Sequence, residues 1–200
     1  DRGLIPGNYL TLIARPEPEN SILEVVKGFS AKRRGMHLAV LGNYSNSNPY
    51  HTAVRSAASS EVLFLGAIYE KPVLHSLRKH SLAYVHGHQV GGTNPSLVEA
   101  MGAGNAIIAH DNRFTRWVAG EGACYFDGAA HFSTVLDDLL SNTTMLDTMR
   151  EATSSRFREN FTWPKILSEY EVLLRRFLPS PASLPNPSNS EFNADKASDV

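Results

Sequence analysis

The clearest chemical character in this 200-residue chain lies in Gly91-Gly92-Thr93-Asn94-Pro95-Ser96. Adjacent glycines let a backbone approach an anion closely. Asn94 and Pro95 read as the N-cap and first residue of a helix whose unpaired N–H groups and positive dipole end face the same loop. The combination suits a phosphate or pyrophosphate; a tight turn that merely feeds a helix accounts for the same residues equally well. Ser96, in the helix's first turn, either adds a hydroxyl donor to such an anion or faces solvent. Glu99 lies one turn further on, and helical side chains lean toward the N-terminus, so its carboxylate can reach back toward the loop. There it would accept hydrogen bonds from vicinal hydroxyls such as those of a ribose; the plainer reading is a solvated glutamate that favours the helix dipole.

The loops around this stretch carry further candidates. Arg15 supplies a fixed positive charge that an anion would welcome, or is a surface arginine paired with Glu17 or Glu19. His86 and His88 are placed to bond a sugar hydroxyl or a phosphate, with simple satisfaction by backbone as the alternative. Asp111 and Asn112 read as a helix cap, and Asp137 and Asp138 as solvated positions within a helix. Tyr69 could stack on a base, although a core or surface tyrosine is the simpler assignment.

Positioning these residues falls to an alternation of short apolar runs and helical patterns. Strands are expected at Tyr9 to Ala14, His37 to Leu41, Val62 to Leu65, Leu82 to His86, Ala106 to His110 and Ala123 to Phe126. Helices are expected between them, the first capped by Asn20 with Ile22, Val25, Val26 and Phe29 on its apolar face, and the fourth running from Pro95 to Ala103 with Gly104 beyond it. Three more follow, about Ala130 to Leu140, Thr144 to Phe157 and Pro164 to Phe177. Strands of about five residues that are apolar throughout imply a parallel sheet covered on both faces. The expected class is α/β: a doubly wound, Rossmann-like parallel six-stranded sheet of order 3-2-1-4-5-6, with helices on both faces. Ligands of such sheets bind beyond the carboxyl ends of strands one and four, and Arg15 and the glycine-bearing loop are placed at those two ends. The domain is expected over 1–178, and Pro179 to Val200, rich in proline and serine, as a disordered tail.

Composition narrows the function classes. Lys+Arg 19 against Asp+Glu 20 argues against a nucleic-acid binder held by a broad cationic face. The single cysteine, Cys124, cannot close an internal disulfide and fits a reducing, cytoplasmic setting. No run approaches the roughly 20 apolar residues of a membrane span. No G-x-G-x-x-G follows the first strand, no P-loop or H-E-x-x-H pattern occurs, and no Asp-x-Asp is present to hold a metal–diphosphate, so neither a dinucleotide cofactor nor a metal is expected.

Arg15 with the helix after it, Phe64-Leu65-Gly66, GGTNPSLVEAMGAGNAIIAHD, Tyr125-Phe126-Asp127 and Phe161-Thr162-Trp163 occur in an order and spacing that resembles one known arrangement. It is the C-terminal, donor-binding half of retaining glycosyltransferases of the GT-B fold, family four. The likeness runs from about Tyr9 to Phe177. HGHQVGGTNPSLVEAM with DNRFTRWV looks most like a subgroup that includes bacterial rhamnosyltransferases of surface-polysaccharide assembly.

The resemblance implies transfer of a hexosyl group, with retention, from a nucleoside-diphosphate sugar to a glycan or lipid-linked acceptor. It makes Arg15 and Glu99 the catalytic pair, Arg15 facing the diphosphate and Glu99 the ribose hydroxyls. Gly91, Gly92, Thr93, Asn94, Ser96 and His88 would complete the donor site, with no metal and no cofactor beyond the co-substrate. Two positions depart from the family pattern. Its first glutamate, eight positions before Glu99, is replaced by Gly91, a contact that His88 is placed to supply; its lysine, five after Arg15, is replaced by Asn20. A GT-B enzyme has two Rossmann-like halves, so the chain is expected to be a fragment whose partner is an N-terminal, acceptor-binding half, with peripheral membrane association left to the full-length enzyme. The last helix would face that half, its apolar Ile166, Leu167, Tyr170, Leu173, Leu174 and Phe177 in part exposed. The competing class is a non-catalytic Rossmann-like nucleotide-binding or interaction domain.

Overall fold

A computed structural model describes residues 3–178; the expected tail, 179–200, lies outside the described residues. Six strands form one sheet: β1 (Tyr9–Ile13), β2 (His37–Leu41), β3 (Val62–Gly66), β4 (Ala83–His86), β5 (Ala106–His110) and β6 (Cys124–Phe126). Their order is β3-β2-β1-β4-β5-β6, every neighbouring pair parallel. This is the doubly wound, Rossmann-like sheet expected from the alternation of elements. The strand order reverses between β1 and β4, paired through Leu10–Ala83, Thr11–Tyr84 and Leu12–Val85.

The strands read as unbroken apolar runs because both faces are covered. Alternate residues feed two different cores, as the period of two requires. Leu10, Leu12, Leu38, Val40, Ala83, Val85, Ala106 and Ile108 pack in one core with α1 (Ile22–Ser30), α2 (Pro49–Ser56) and α6 (Ala129–Ser141). On the other face Tyr84, Ile107 and Ala109 pack with α4 (Pro95–Gly102) and α5 (Arg113–Ala119), while Tyr9, Ala39 and Leu41 pack with Leu77 of α3 (Lys71–Lys79). α7 (Thr143–Asn160) contributes Leu146 and Met149 to the first core and lays Phe157 against the second.

Local capping explains where several helices start. Asn94 accepts from Ser96 N–H at the head of α4, as expected, and Asn112 accepts from Phe114 and Thr115 N–H at the head of α5. α2 begins at Pro49, where Asn48 accepts from Tyr50 and His51 N–H. Asn20 does not cap α1. It ends a short 3-10 turn (Pro18–Asn20), and its side chain instead donates to Arg15 C=O at 2.8 Å. Ser21, with φ of 47°, makes the left-handed step into α1 without a side-chain cap. Asp137 is likewise not simply solvated: its carboxylate takes Lys32 at 2.6 Å and the buried Arg34.

The unit just described extends to Thr162, and a second unit begins at Trp163. Within that second unit α8 (Trp163–Arg175) carries exposed Leu167, Tyr170, Leu173 and Leu174, followed by exposed Phe177. Among the described residues no helix is long and apolar enough to cross a membrane.

Candidate functional site

The turns leaving β1 and β4 lie against each other. Gln89 N–H donates to Glu19 C=O at 2.8 Å, and Gln89 Nε2 donates to Ser21 Oγ at 2.9 Å. Gly87 approaches so closely that a Cβ there would lie 2.1 Å from the Asn20 carbonyl oxygen. A third turn, after β5, joins them through Asn112 Nδ2, which donates to His88 C=O at 2.9 Å. The sheet's carboxyl edge thus gathers Arg15, the 87–94 loop and the head of α4 at its topological switch point.

Within the loop Gly91 (φ +113°), Gly92 and Thr93 are exposed, and a Cβ added at either glycine would meet nothing within 4 Å. The backbone there is open to close approach, and Gly91 holds a conformation that residues with a Cβ rarely adopt. Arg15, on the turn after β1, is exposed and forms no ion pair with a described residue, Glu17 and Glu19 included. Its charge is felt by His88, where burial and Arg15 together hold the imidazole below its ordinary pKa against a smaller opposing effect of Glu19.

The aromatic rings of β4 continue into the loop as a column. Tyr84 and His86 stack with centroids 6.2 Å apart, and His86 and His88 with centroids 4.3 Å apart and planes 7° from parallel. His86 is 1% exposed, neither of its ring nitrogens has a hydrogen-bond partner among the described residues, and His88 Nδ1 shares that condition. Burial, reinforced by His88, pushes His86 down to about 3, so the pair is neutral at pH 7. A neutral imidazole offers one donor and one acceptor, the type that sugar hydroxyls satisfy, and of the two rings only His88 is not fully buried.

Ser96 and Glu99 sit in a polar network that the spacing of sequence motifs did not reveal. Ser96 Oγ lies 2.7 Å from Tyr84 Oη, which donates to Ile13 C=O, and it accepts from Arg78 Nη2 at 3.2 Å. With the tyrosine proton on Ile13, the serine proton goes to Tyr84, so the hydroxyl is turned into the protein. Glu99 is more than half exposed, yet its Oε2 lies 2.6 Å from Nη2 of Arg78, whose side chain is 7% exposed. Arg78 ends α3 in the run Arg78-Lys79-His80, which reads in sequence as a solvated cationic helix end. Only the drop from exposed Lys79 to buried Arg78 marks it, and that drop is visible in three dimensions alone.

Asp111, part of the expected cap, instead pairs with Arg116 at 2.5 Å and leaves the capping to Asn112. Tyr69 is 80% exposed. A surface hollow of about 320 Å³ lined by Glu121, Cys124, Met145 and Met149 lies beside the edge strand β6 and shares no residue with the switch-point turns. Among the described residues no group of three or more His, Cys, Asp or Glu is placed to hold a metal ion.

No protein-family model matches the chain, and no curated protein matches it in sequence. Solved structures share its fold. Sucrose-phosphate synthase from Thermosynechococcus elongatus superposes with a TM-score of 0.73 at 16% identity, covering 86% of this chain and 46% of that one. A glycosyltransferase from Rickettsia africae gives 0.73 at 13%, covering 86% and 48%. HepE of Anabaena, solved with UDP and glucose, gives 0.75 at 12%, covering 84% and 48%. At such identities the likeness establishes the fold, and this chain spans about half the length of each of these proteins.

Proposed function

We propose that the chain is the donor-binding half of a glycosyltransferase that takes a hexosyl group, rhamnosyl in the narrower reading, from a nucleoside-diphosphate sugar. The acceptor-binding half would lie in the remainder of the enzyme, and the exposed apolar side of α8 fits a surface meant to be covered there. The carrying observation is the contact of the β1 and β4 turns, which supports a site at that edge made by Arg15, the open Gly91-Gly92 backbone and the head of α4, with Glu99 one turn behind. Sugar transfer builds negative charge on the departing diphosphate. In this arrangement Arg15, the loop N–H groups and the helix end would meet that charge, with no metal needed. Glu99 would accept from the ribose. The neutral His88 would face the sugar where Gly91 removes a carboxylate. Retention at the anomeric carbon, a glycan or lipid-linked acceptor and a cytoplasmic location complete the proposal on the motif resemblance.

Calorimetric titration of the chain with UDP, GDP and dTDP tests it. One of the three is expected to bind. Arg15→Ala should weaken that binding about tenfold or more through loss of charge-assisted contacts, and Glu99→Ala by a comparable factor. Absence of binding by all three at millimolar concentration would favour the non-catalytic domain.

A further inference from the structure

We infer that Arg78 is a positioning residue for Glu99, fixing the carboxylate that reads the nucleotide's sugar hydroxyls. The inference rests on the donor-half reading and extends it to a residue outside the loop and the α4 head. Three observations carry it. Arg78 is buried while Glu99 is exposed, so this is not a surface pair whose geometry drifts with solvent. The backbone of the arginine is itself tied down: Asn105 Nδ2 donates to its carbonyl at 2.7 Å, and Thr153 Oγ1 in turn donates to Asn105 C=O at 2.8 Å, linking the end of α3 to α7. Its Nη2 also meets Ser96 Oγ, whose other partner, Tyr84, reaches Ile13 C=O at the end of β1. One connected set of groups therefore runs from the β1 exit to the Glu99 carboxylate.

The consequence is chemical. Oε2 of Glu99 is drawn to the guanidinium in an ion pair, and Oε1 contacts no cation among the described residues. A carboxylate fixed through one oxygen presents the other in one direction. A free glutamate would have to give up its rotamer freedom on meeting the ligand. Arg78 Nε has no partner, and among the described residues the guanidinium meets Glu99 and Ser96 alone. Loss of the arginine would leave the carboxylate untethered without touching the anion-binding loop.

The test compares whichever of UDP, GDP or dTDP binds the wild-type chain with its 2′,3′-dideoxy counterpart. Arg78→Met is expected to weaken the parent nucleotide about tenfold while changing the 2′,3′-dideoxy nucleotide by less than about twofold, because only the parent offers a sugar hydroxyl that Glu99 can take. In a Glu99→Gln background, Arg78→Met should produce no further weakening, as required of a residue that acts through another. Arg78→Lys retains the buried charge without the fork and serves if the methionine variant does not fold; a smaller loss with the same selectivity is expected. Equal losses for parent and 2′,3′-dideoxy nucleotides, or additive losses in the double variant, would overturn this inference alone. Failure of every nucleotide to bind the wild-type chain would overturn the donor-half reading and this inference with it.

Discussion

Gly87→Ala is expected to lower stability by about 2–4 kcal/mol and to abolish nucleotide binding. The reason is space. A Cβ at position 87 would lie 2.1 Å from the carbonyl oxygen of Asn20 and 3.0 Å from its carbonyl carbon, and both are backbone atoms that cannot swing aside. Relief requires the β1 turn to move away from the β4 turn. Doing so strains the Gln89–Glu19 and Gln89–Ser21 hydrogen bonds, and Ser21 already occupies a left-handed conformation that costs a non-glycine residue about 1 kcal/mol or more. The same movement carries Arg15 away from the glycine-bearing loop, so binding falls beyond what partial unfolding explains. Gly92→Ala is the matched control. Nothing lies within 4 Å of its added methyl, so stability should stay within about 0.5 kcal/mol while close approach of an anion is hindered. Urea denaturation and calorimetry on both variants check the pair, and a Gly87→Ala protein with wild-type midpoint and affinity would contradict the account.

The sheet order and the meeting of the β1 and β4 turns were legible because each rests on local signals. Short β-branched and apolar runs separated by helical patterns admit few topologies, and a parallel sheet places its chemistry beyond the carboxyl ends of the strands. The Asn94-Pro95 and Asn112 caps are likewise local hydrogen bonds written in neighbouring residues. The illegible part is long-range. Arg78 lies 21 residues before Glu99, and nothing in an Arg-Lys-His helix end says which cation turns inward. Asn20 has the right residue type for a cap, but the 3-10 turn before α1 places it where Arg15 C=O needs a donor. Asp137 reads as a surface residue until Lys32 and the buried Arg34, more than a hundred positions away, close on it. Sequence periodicity fixes which face a residue occupies, whereas partner choice across faces follows from packing.

The column of rings at the end of β4 predicts a steep loss of stability in mild acid. Free histidine titrates near 6.5, and burial holds His86 at about 3. Above 6.5 both folded and unfolded chains carry it neutral. Below 6.5 the unfolded chain takes a proton that the folded chain refuses, so each pH unit between roughly 6 and 4 should cost the native state about a factor of ten, or on the order of 3 kcal/mol over the window. His88, depressed by burial and by Arg15 against Glu19, and His110, depressed by burial against Asp111, Asp127 and Glu24, act in the same direction. The carboxyls of Glu61, Asp111 and Asp137 are also held below their usual values, and they add their loss only at lower pH, near and beneath the ordinary carboxylate range. His86→Phe separates the imidazole from the rest. Phenylalanine keeps the stack on Tyr84 and His88, removes two buried nitrogens that have no partner among the described residues, and cannot be protonated. It should therefore match or exceed wild-type stability at pH 7 and lose about one proton's worth of slope between pH 6 and 4, read from urea midpoints at half-unit intervals. Identical slopes in the two proteins would mean that the folded chain protonates His86 as readily as the unfolded one. The burial account of His86 would then be overturned.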